Sequence, residues 1–253
     1  MSVNKEFTKE NLDAYLKEVA REFRKRNGKY MRAEIILVGG AAILAKYGFR
    51  MQSNDIDAEI KASGAMKEAI NYLGDKYDLP NGWLNSDFKK TSSYSPKLAQ
   101  YSKHYRTYSN IVDIRIVEAE YLVAMKLKSG RVYKKDLSDV IGILYEHKAA
   151  GKPLTFEQID TAVKNLYGSW DEISEYATEL LHQALDVTEA DALLELFNEQ
   201  EIEEGINKKI LKNTEKYTEE KITEDNIEDI IKKAKERQKG STKKQTEVLE
   251  YQR

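Results

Sequence analysis

Cysteine is absent from all 253 residues of the chain. That excludes disulfides and thiolate metal sites and suits a reducing, cytoplasmic setting. Histidine is scarce: His104, His147 and His182 are the only three, and none stands at a metal-ligand spacing such as HxxxH. No stretch approaches a membrane span, and the opening MSVNKEFTKEN lacks the apolar run of a signal peptide. The expectation is a cytoplasmic protein with no membrane partner. A charge excess of either sign is missing too. The net charge is −2, so there is no global electrostatic case for nucleic acid, although a local basic patch stays open. No internal repeat is visible. What the chain does have is 41% hydrophobic and 33% charged residues, enough for a real core under a heavily solvated surface. Its length fits one large domain or two modest ones.

Hydrophobic periodicity orders the chain. Residues 9–26 read as a helix, with Leu12, Tyr15, Leu16, Val19 and Phe23 on one face, Thr8 as N-cap and Asn27-Gly28 as stop. Residues 33–38 (AEIILV) form an apolar strand that ends at Gly39-Gly40, and 41–47 read as a helix ending at Gly48. Alternation over 55–60 gives a second strand; 63–73 give a short helix stopped by Gly74. Residues 75–110 are irregular and rich in Tyr, Ser, Lys and Asn, and 110–117 (NIVDIRIV) alternate as a central strand. Helical patterns then cover 119–128, 134–148, 156–167, 170–186 and 189–202, with one or two charged helices between 206 and 238. Thr155–Gln158 and Ser169–Glu172 fit the capping-box pattern. The predicted division is an α/β part over 1–117, a helical part over 118–238 and a polar tail over 239–253, with a cleft between the first two.

Within "ILVGGAAILAKYGFRMQSNDIDAEI", residues 36–60, Asp55 and Asp57 flank Ile56. Strand residues two apart point to one side, so both carboxylates face one point. Two such charges repel, and one would normally take up a proton. A hard divalent cation removes the conflict, since Mg²⁺ prefers carboxylate oxygens and leaves positions for substrate phosphates. A polar strand end is the plainer account of the same residues. Asp113, mid-strand in "IVDIRIV", is the natural third carboxylate; pairing with Arg115 or exposure on an edge strand would explain it equally. Gly39-Gly40 falls where a strand hands over to a helix, which lets backbone approach a ligand and aims helix N-terminal amides at an anion. A tight turn is the simpler alternative. With Ser53-Asn54-Asp55-Ile56-Asp57 downstream, the two features together supply a phosphate cradle and a metal pair.

"LVGGAAI", "SNDIDAEI" and "IVDIRIV" resemble, in order, the signature of the nucleotidyltransferase superfamily with the polymerase-β-like fold: hGG or hGS, a helix, hDhD, and a later strand carboxylate. Within that superfamily the chain is most similar to the AbiEii-like abortive-infection toxins. Their later block, L-h-x-x-K-L-x-x-x-R-x-x-x-D-h-x-D, is echoed by "YLVAMKLKSGRVYKKDLSDVIGIL", residues 121–144. The resemblance covers residues 33–145. It implies an α+β fold: a nucleotidyltransferase core of a small mixed sheet flanked by helices, then a C-terminal helical bundle. It also implies that Gly39 and Gly40, with Ser53 assisting, hold triphosphate oxygens. Asp55, Asp57 and Asp113 would be the catalytic metal ligands, and Lys126 would contact nucleotide phosphates, with Arg131, Asp136 and Asp139 completing the nucleotide site. Arg50 precedes the aspartates at a spacing that only approximates the toxin pattern, and it ranks low.

Plainer readings stand beside these. Asp136 and Asp139 suit a solvated helix start that favours the dipole, and Lys126 could snorkel at a helix rim rather than meet a phosphate. Lys89, Lys90, Lys97, Lys103, His104 and Arg106, interleaved with Tyr94, Tyr101, Tyr105 and Tyr108, could stack and hold a single-stranded RNA end, or simply pack on the sheet. The implied activity is Mg²⁺-dependent transfer of an NMP from an NTP to a hydroxyl, with two ions and Mn²⁺ as a substitute. The acceptor would be a tRNA 3′ end or another RNA, or a protein. The implied role is the toxin of a toxin–antitoxin or phage-defence pair, partnered by a cognate antitoxin. An aminoglycoside-type small-molecule transferase and a non-catalytic nucleotide- or antitoxin-binding module are the alternatives.

Overall fold

The computed structural model describes residues 6–217, 222–223 and 226–237. The polar tail expected over 239–253 lies outside the described residues. Helix α1 (Lys9–Asn27) begins with a full capping box: the Thr8 side chain accepts from the Asn11 amide, and the Asn11 side chain accepts from the Thr8 amide. It ends at Gly28, and Leu12, Leu16, Val19, Ala20 and Phe23 are buried.

Five strands follow: β1 (Ala33–Leu37), β2 (Ile56–Lys61), β3 (Leu84–Asn85), β4 (Ser102–Tyr108) and β5 (Val112–Val117). Their spatial order is β3-β2-β1-β5-β4. The sheet is mixed: β1 pairs antiparallel with β2 and parallel with β5, β2–β3 is parallel, and β4–β5 is antiparallel. Directly opposed residues share a face, so Glu34, Lys61 and Asp113 lie in one polar row across β1, β2 and β5. The neighbouring positions, Ile35, Ile114 and Ala58, are buried on the other face.

Helix α2 (Gly39–Lys46) leaves β1 at the glycine pair, and α3 (Ala65–Tyr77) precedes β3. The stop expected at Gly74 does not occur. The helix continues to Asp78, which takes the left-handed conformation, while the bare Gly74 position lets Trp83 pack close. Two 3₁₀ turns, Asp87–Lys90 and Leu98–Tyr101, fill the irregular stretch before β4.

Then come α4 (Ala119–Ser129), α5 (Asp136–Ala149), α6 (Phe156–Tyr167), α7 (Glu175–Asp186) and α8 (Ala190–Tyr217). Thr155 and Gln158 form the expected capping box. Ser169 does not open α7: its hydroxyl closes a turn with Asp171, and Ser174 caps the helix five residues later. The segments read as separate helices around 189–217 are one 28-residue helix, and a further helical stretch covers 227–237. Buried apolar residues form one continuous core from Phe7 to Phe197, shared by the sheet and the helices after it. No helix among the described residues is long and apolar enough to cross a membrane.

Candidate functional site

The site begins where β1 becomes α2. Gly39 adopts φ +52°, a left-handed conformation that side chains resist. A Cβ there would lie 3.7 Å from Oδ2 of Asp57, so this carboxylate points at the start of α2. Val38 is the N-cap and supplies no side-chain acceptor, which leaves the first-turn amides of α2 to a ligand. The main chain ties the two elements together, since the Val38 amide donates to the Asp57 carbonyl at 3.0 Å. Ser53 is fixed beside them by a reciprocal bridge with Phe7, 2.7 and 2.8 Å. Its Oγ would lie 2.9 Å from a Cβ on Gly40.

Asp55 sits in the bend just before β2, and Asp57 is the second strand residue. Burial, reinforced by the Asp55 charge, pushes the Asp57 carboxyl up to about 6, although Lys126 and Arg131 pull the other way. The like-charge conflict expected from the sequence is thus present. Asp87 is a further negative charge acting on Asp57.

Asp113 does not join the pair. On β5 it stands opposite Glu34, whereas Asp57 is linked to Val38, four residues further along β1. At about 3.3 Å per residue that is about 13 Å along the strands. Its carboxylate accepts instead from Thr107 at 3.0 Å and lies 2.7 Å from Nδ1 of His104. The alternation of 110–117 predicts the strand correctly but says nothing of its register against β1. Asp87, which opens the 3₁₀ turn after β3, had no such pattern to mark it. The β2–β3 pairing, Asp57 opposite Asn85, is what brings it near.

The later block is drawn into one buried network. Nζ of Lys126 lies 2.8 Å from both Asp136 and Asp139, Arg131 Nε donates to Asp136 at 2.6 Å, and Arg50 Nη1 donates to Asp139 Oδ1 at 2.6 Å. Lys126, Asp136 and Asp139 are all buried. Burial opposes charge on Lys126 and Asp136. For Lys126 the two aspartates outweigh that effect and raise its pKa; for Asp136 the two cations outweigh it and hold the carboxyl well below the usual range. Lys126 is therefore committed to carboxylates, not free to meet phosphates, and Asp136 and Asp139 are struts instead of a solvated face.

Arg50, ranked low from its spacing, is a member of this network. It is aimed by its neighbours. The Phe49 ring packs where Gly142 of α5 has no side chain, and Glu146 of α5 accepts the amides of Gly48 and Phe49 at 2.5 and 3.0 Å. A Cβ on Gly40 would come within 2.8 Å of Arg50 Nη2, so the second glycine makes room for this guanidinium.

Lys134, on the loop between α4 and α5, was not singled out by any pattern. Partial shielding lowers its pKa, as does nearby Arg131, while Asp136 and Asp55 act to raise it. Its side chain makes no hydrogen bond or ion pair among the described residues, while its amide donates to the Arg131 carbonyl at 3.1 Å. It is a cation within electrostatic reach of Asp55.

Most cations of the basic and aromatic stretch over 84–108 are paired with carboxylates at the surface. Lys90 pairs with Asp87, Lys103 with Glu118, Arg106 with Asp13 and Lys89 with Glu59. Tyr101 stacks on Tyr121 at 3.9 Å, and Tyr94 packs edge-on against Phe88. Among the described residues no group of three or more His, Asp or Glu side chains stands ready as a metal cage.

No curated protein and no solved structure shows significant similarity to the chain. A family model does match, over residues 14–149, which is more than half of the chain and includes the glycine pair, both aspartates and the buried network. The chain belongs to that family, described as a nucleotidyltransferase of unknown function (DUF6036).

Proposed function

We propose that the protein transfers an NMP from an NTP to a hydroxyl acceptor at the start of α2, with Mg²⁺ as cofactor. The observation that carries this reading is the Asp57 carboxylate. It is shielded, crowded by Asp55 and aimed at the uncapped α2 N-terminus. The donor set suits a hard cation: all oxygen, with two like charges that a divalent ion reconciles. Mg²⁺ is commonly held by one or two carboxylates together with substrate phosphates, which agrees with the lack of a preassembled three-ligand cage.

Asp55 and Asp57 would hold the metal. When bound, the ion supplies charge stabilisation at the phosphoryl group and its leaving oxygen. The chain's own residues do the positioning. First-turn amides of α2, freed by the side-chain-less Gly39 and Gly40, and the Ser53 hydroxyl would hold triphosphate oxygens. The Lys134 ammonium would neutralise phosphate charge. The acceptor hydroxyl oxygen attacks the α-phosphorus and its proton passes to solvent, while the bond from the α-phosphorus to the bridging oxygen breaks and pyrophosphate leaves with that oxygen.

The likeness of residues 121–144 to the AbiEii-like block supports a macromolecular acceptor, an RNA end or a protein, and a toxin role with a cognate antitoxin. Incubation with each α-labelled NTP, total RNA and total protein, with Mg²⁺ or with EDTA, tests the reading. Metal-dependent labelling that Asp57→Asn abolishes is expected. Labelling that survives Asp57→Asn, or none with any NTP, would overturn it.

A further inference from the structure

The loop that carries Arg131 and Lys134 is gripped by a helix outside the residues the family model matches. Helix α5 starts at Asp136, and its N-cap, Lys135, has no side-chain acceptor to offer the exposed amides. The acceptor comes from α8 instead. Oε1 of Glu204 accepts from the amides of Leu137 at 2.9 Å and Ser138 at 3.2 Å, and Oε2 accepts from the Ser138 hydroxyl at 2.5 Å. One turn on, Nδ2 of Asn207 donates to the carbonyl of Val132 at 2.7 Å. One turn before, Glu201 pairs with Lys135 at 2.5 Å. Residues 201, 204 and 207 share one face of α8, and together they hold both ends of the loop.

Burying a glutamate is costly unless it is well bonded, and Glu204 is only 2% exposed. A structural helix start needs no such device, since a Ser or Asp at position 135 would cap α5 locally. What the distant cap adds is control of the loop's place. The loop is short, has Gly130 at φ +48° at its start, delivers Arg131 to Asp136 and carries Lys134 within electrostatic reach of Asp55.

We propose that Glu204 and Asn207 are positioning residues, which set the 130–138 loop so that Lys134 faces the nucleotide phosphates. The proposal rests on the nucleotidyltransferase reading for its functional half. The clasp itself is a property of the protein alone. Burial pushes the Glu204 carboxyl up to about 7, so the pattern of hydrogen bonds matters more than full charge, and a glutamine can reproduce most of it.

Four full-length variants test this: Glu204→Ala, Glu204→Gln, Asn207→Ala and Gln200→Ala. Gln200 is buried on the same helix but is bonded to Tyr176, away from the loop, so it reports plain loosening of α8. Hydrogen exchange is followed at the amides of 130–138, beside NTP KM and kcat. In Glu204→Ala and Asn207→Ala, exchange in the loop is expected to rise about 10-fold. KM for NTP is expected to rise about 10-fold, with kcat changed less. Glu204→Gln restores both to within about 3-fold. Gln200→Ala lowers thermal stability without moving KM. The proposal is overturned if Glu204→Ala and Gln200→Ala behave alike, or if Asn207→Ala leaves loop exchange unchanged. If the wild-type protein transfers no nucleotide, the activity reading fails, and unchanged loop exchange in the variants would separately sink the clasp.

Discussion

Two acidic pairs in this molecule, Asp55/Asp57 and Asp136/Asp139, have similar spacing and opposite electrostatics. The second pair is enclosed by Lys126, Arg131 and Arg50, and Asp136 is held strongly ionised. The first has no bonded cation among the described residues, and burial beside Asp55 pushes Asp57 up to about 6. A carboxylate that the fold neutralises is a strut. A carboxylate that the fold shields and leaves uncompensated awaits a charge from outside. The difference lies in the partners, which come from residues 50, 126 and 131.

The contrast can be broken experimentally, most severely at the strut. Asp136→Ala leaves Lys126 and Arg131 without that partner and is expected to cost about 3–5 kcal/mol, read as a lowered urea midpoint. The same carboxylate gives an acid limb. Its pKa is depressed in the folded state, so its stabilisation is present above about pH 4, the unfolded value, and is lost as pH falls below it. Urea titrations from pH 6 to pH 3 should show that loss in the wild type and a shallower one in Asp136→Asn.

At the other pair the effects should reverse. Asp57→Asn is expected to reduce nucleotidyl transfer by at least about 10²-fold while leaving the melting temperature unchanged or raised. A drop in stability comparable with that of Asp136→Ala would erase the distinction. Mg²⁺ at about 100 times its Kd should add about 2.7 kcal/mol of stability to the wild type. Equal stabilisation of Asp57→Asn, measured by thermal melts, would show that the ion binds elsewhere. The smallest expected effect is at the border between the two pairs. Gly40→Ala crowds Arg50 and Ser53 and should cost about 1–3 kcal/mol, with a weakened Arg50–Asp139 pair visible as faster exchange near residue 50.

Much of the fold was legible because its signals are local. Thr8 with Asn11 and Thr155 with Gln158 mark helix starts through bonds three residues apart, and the apolar run at 33–38 and the alternating one at 110–117 contain the strands Ala33–Leu37 and Val112–Val117. The failures are equally instructive. Gly74 reads as a stop but lies inside a helix, because Trp83 packs against its missing side chain. Ser169 reads as a cap, yet its hydroxyl is used within a turn. At the site, the glycine pair and Asp55/Asp57 could be picked out from spacing. Lys134, Asp87 and the role of Arg50 could not, since each depends on a neighbour far away in the chain.

The sequence by itself determined that two aspartates would crowd each other beside a strand-to-helix turn, because residues two apart stay close and glycine freedom acts over a few residues. Only the tertiary structure decided which charges would be compensated. It set β5 in a register that takes Asp113 away, closed Arg50 on Asp139 across 89 residues and brought Glu204 to the Ser138 amide across 66. Such pairings follow from how helices and sheet pack, and a buried charge becomes a strut or a ligand according to what that packing places against it.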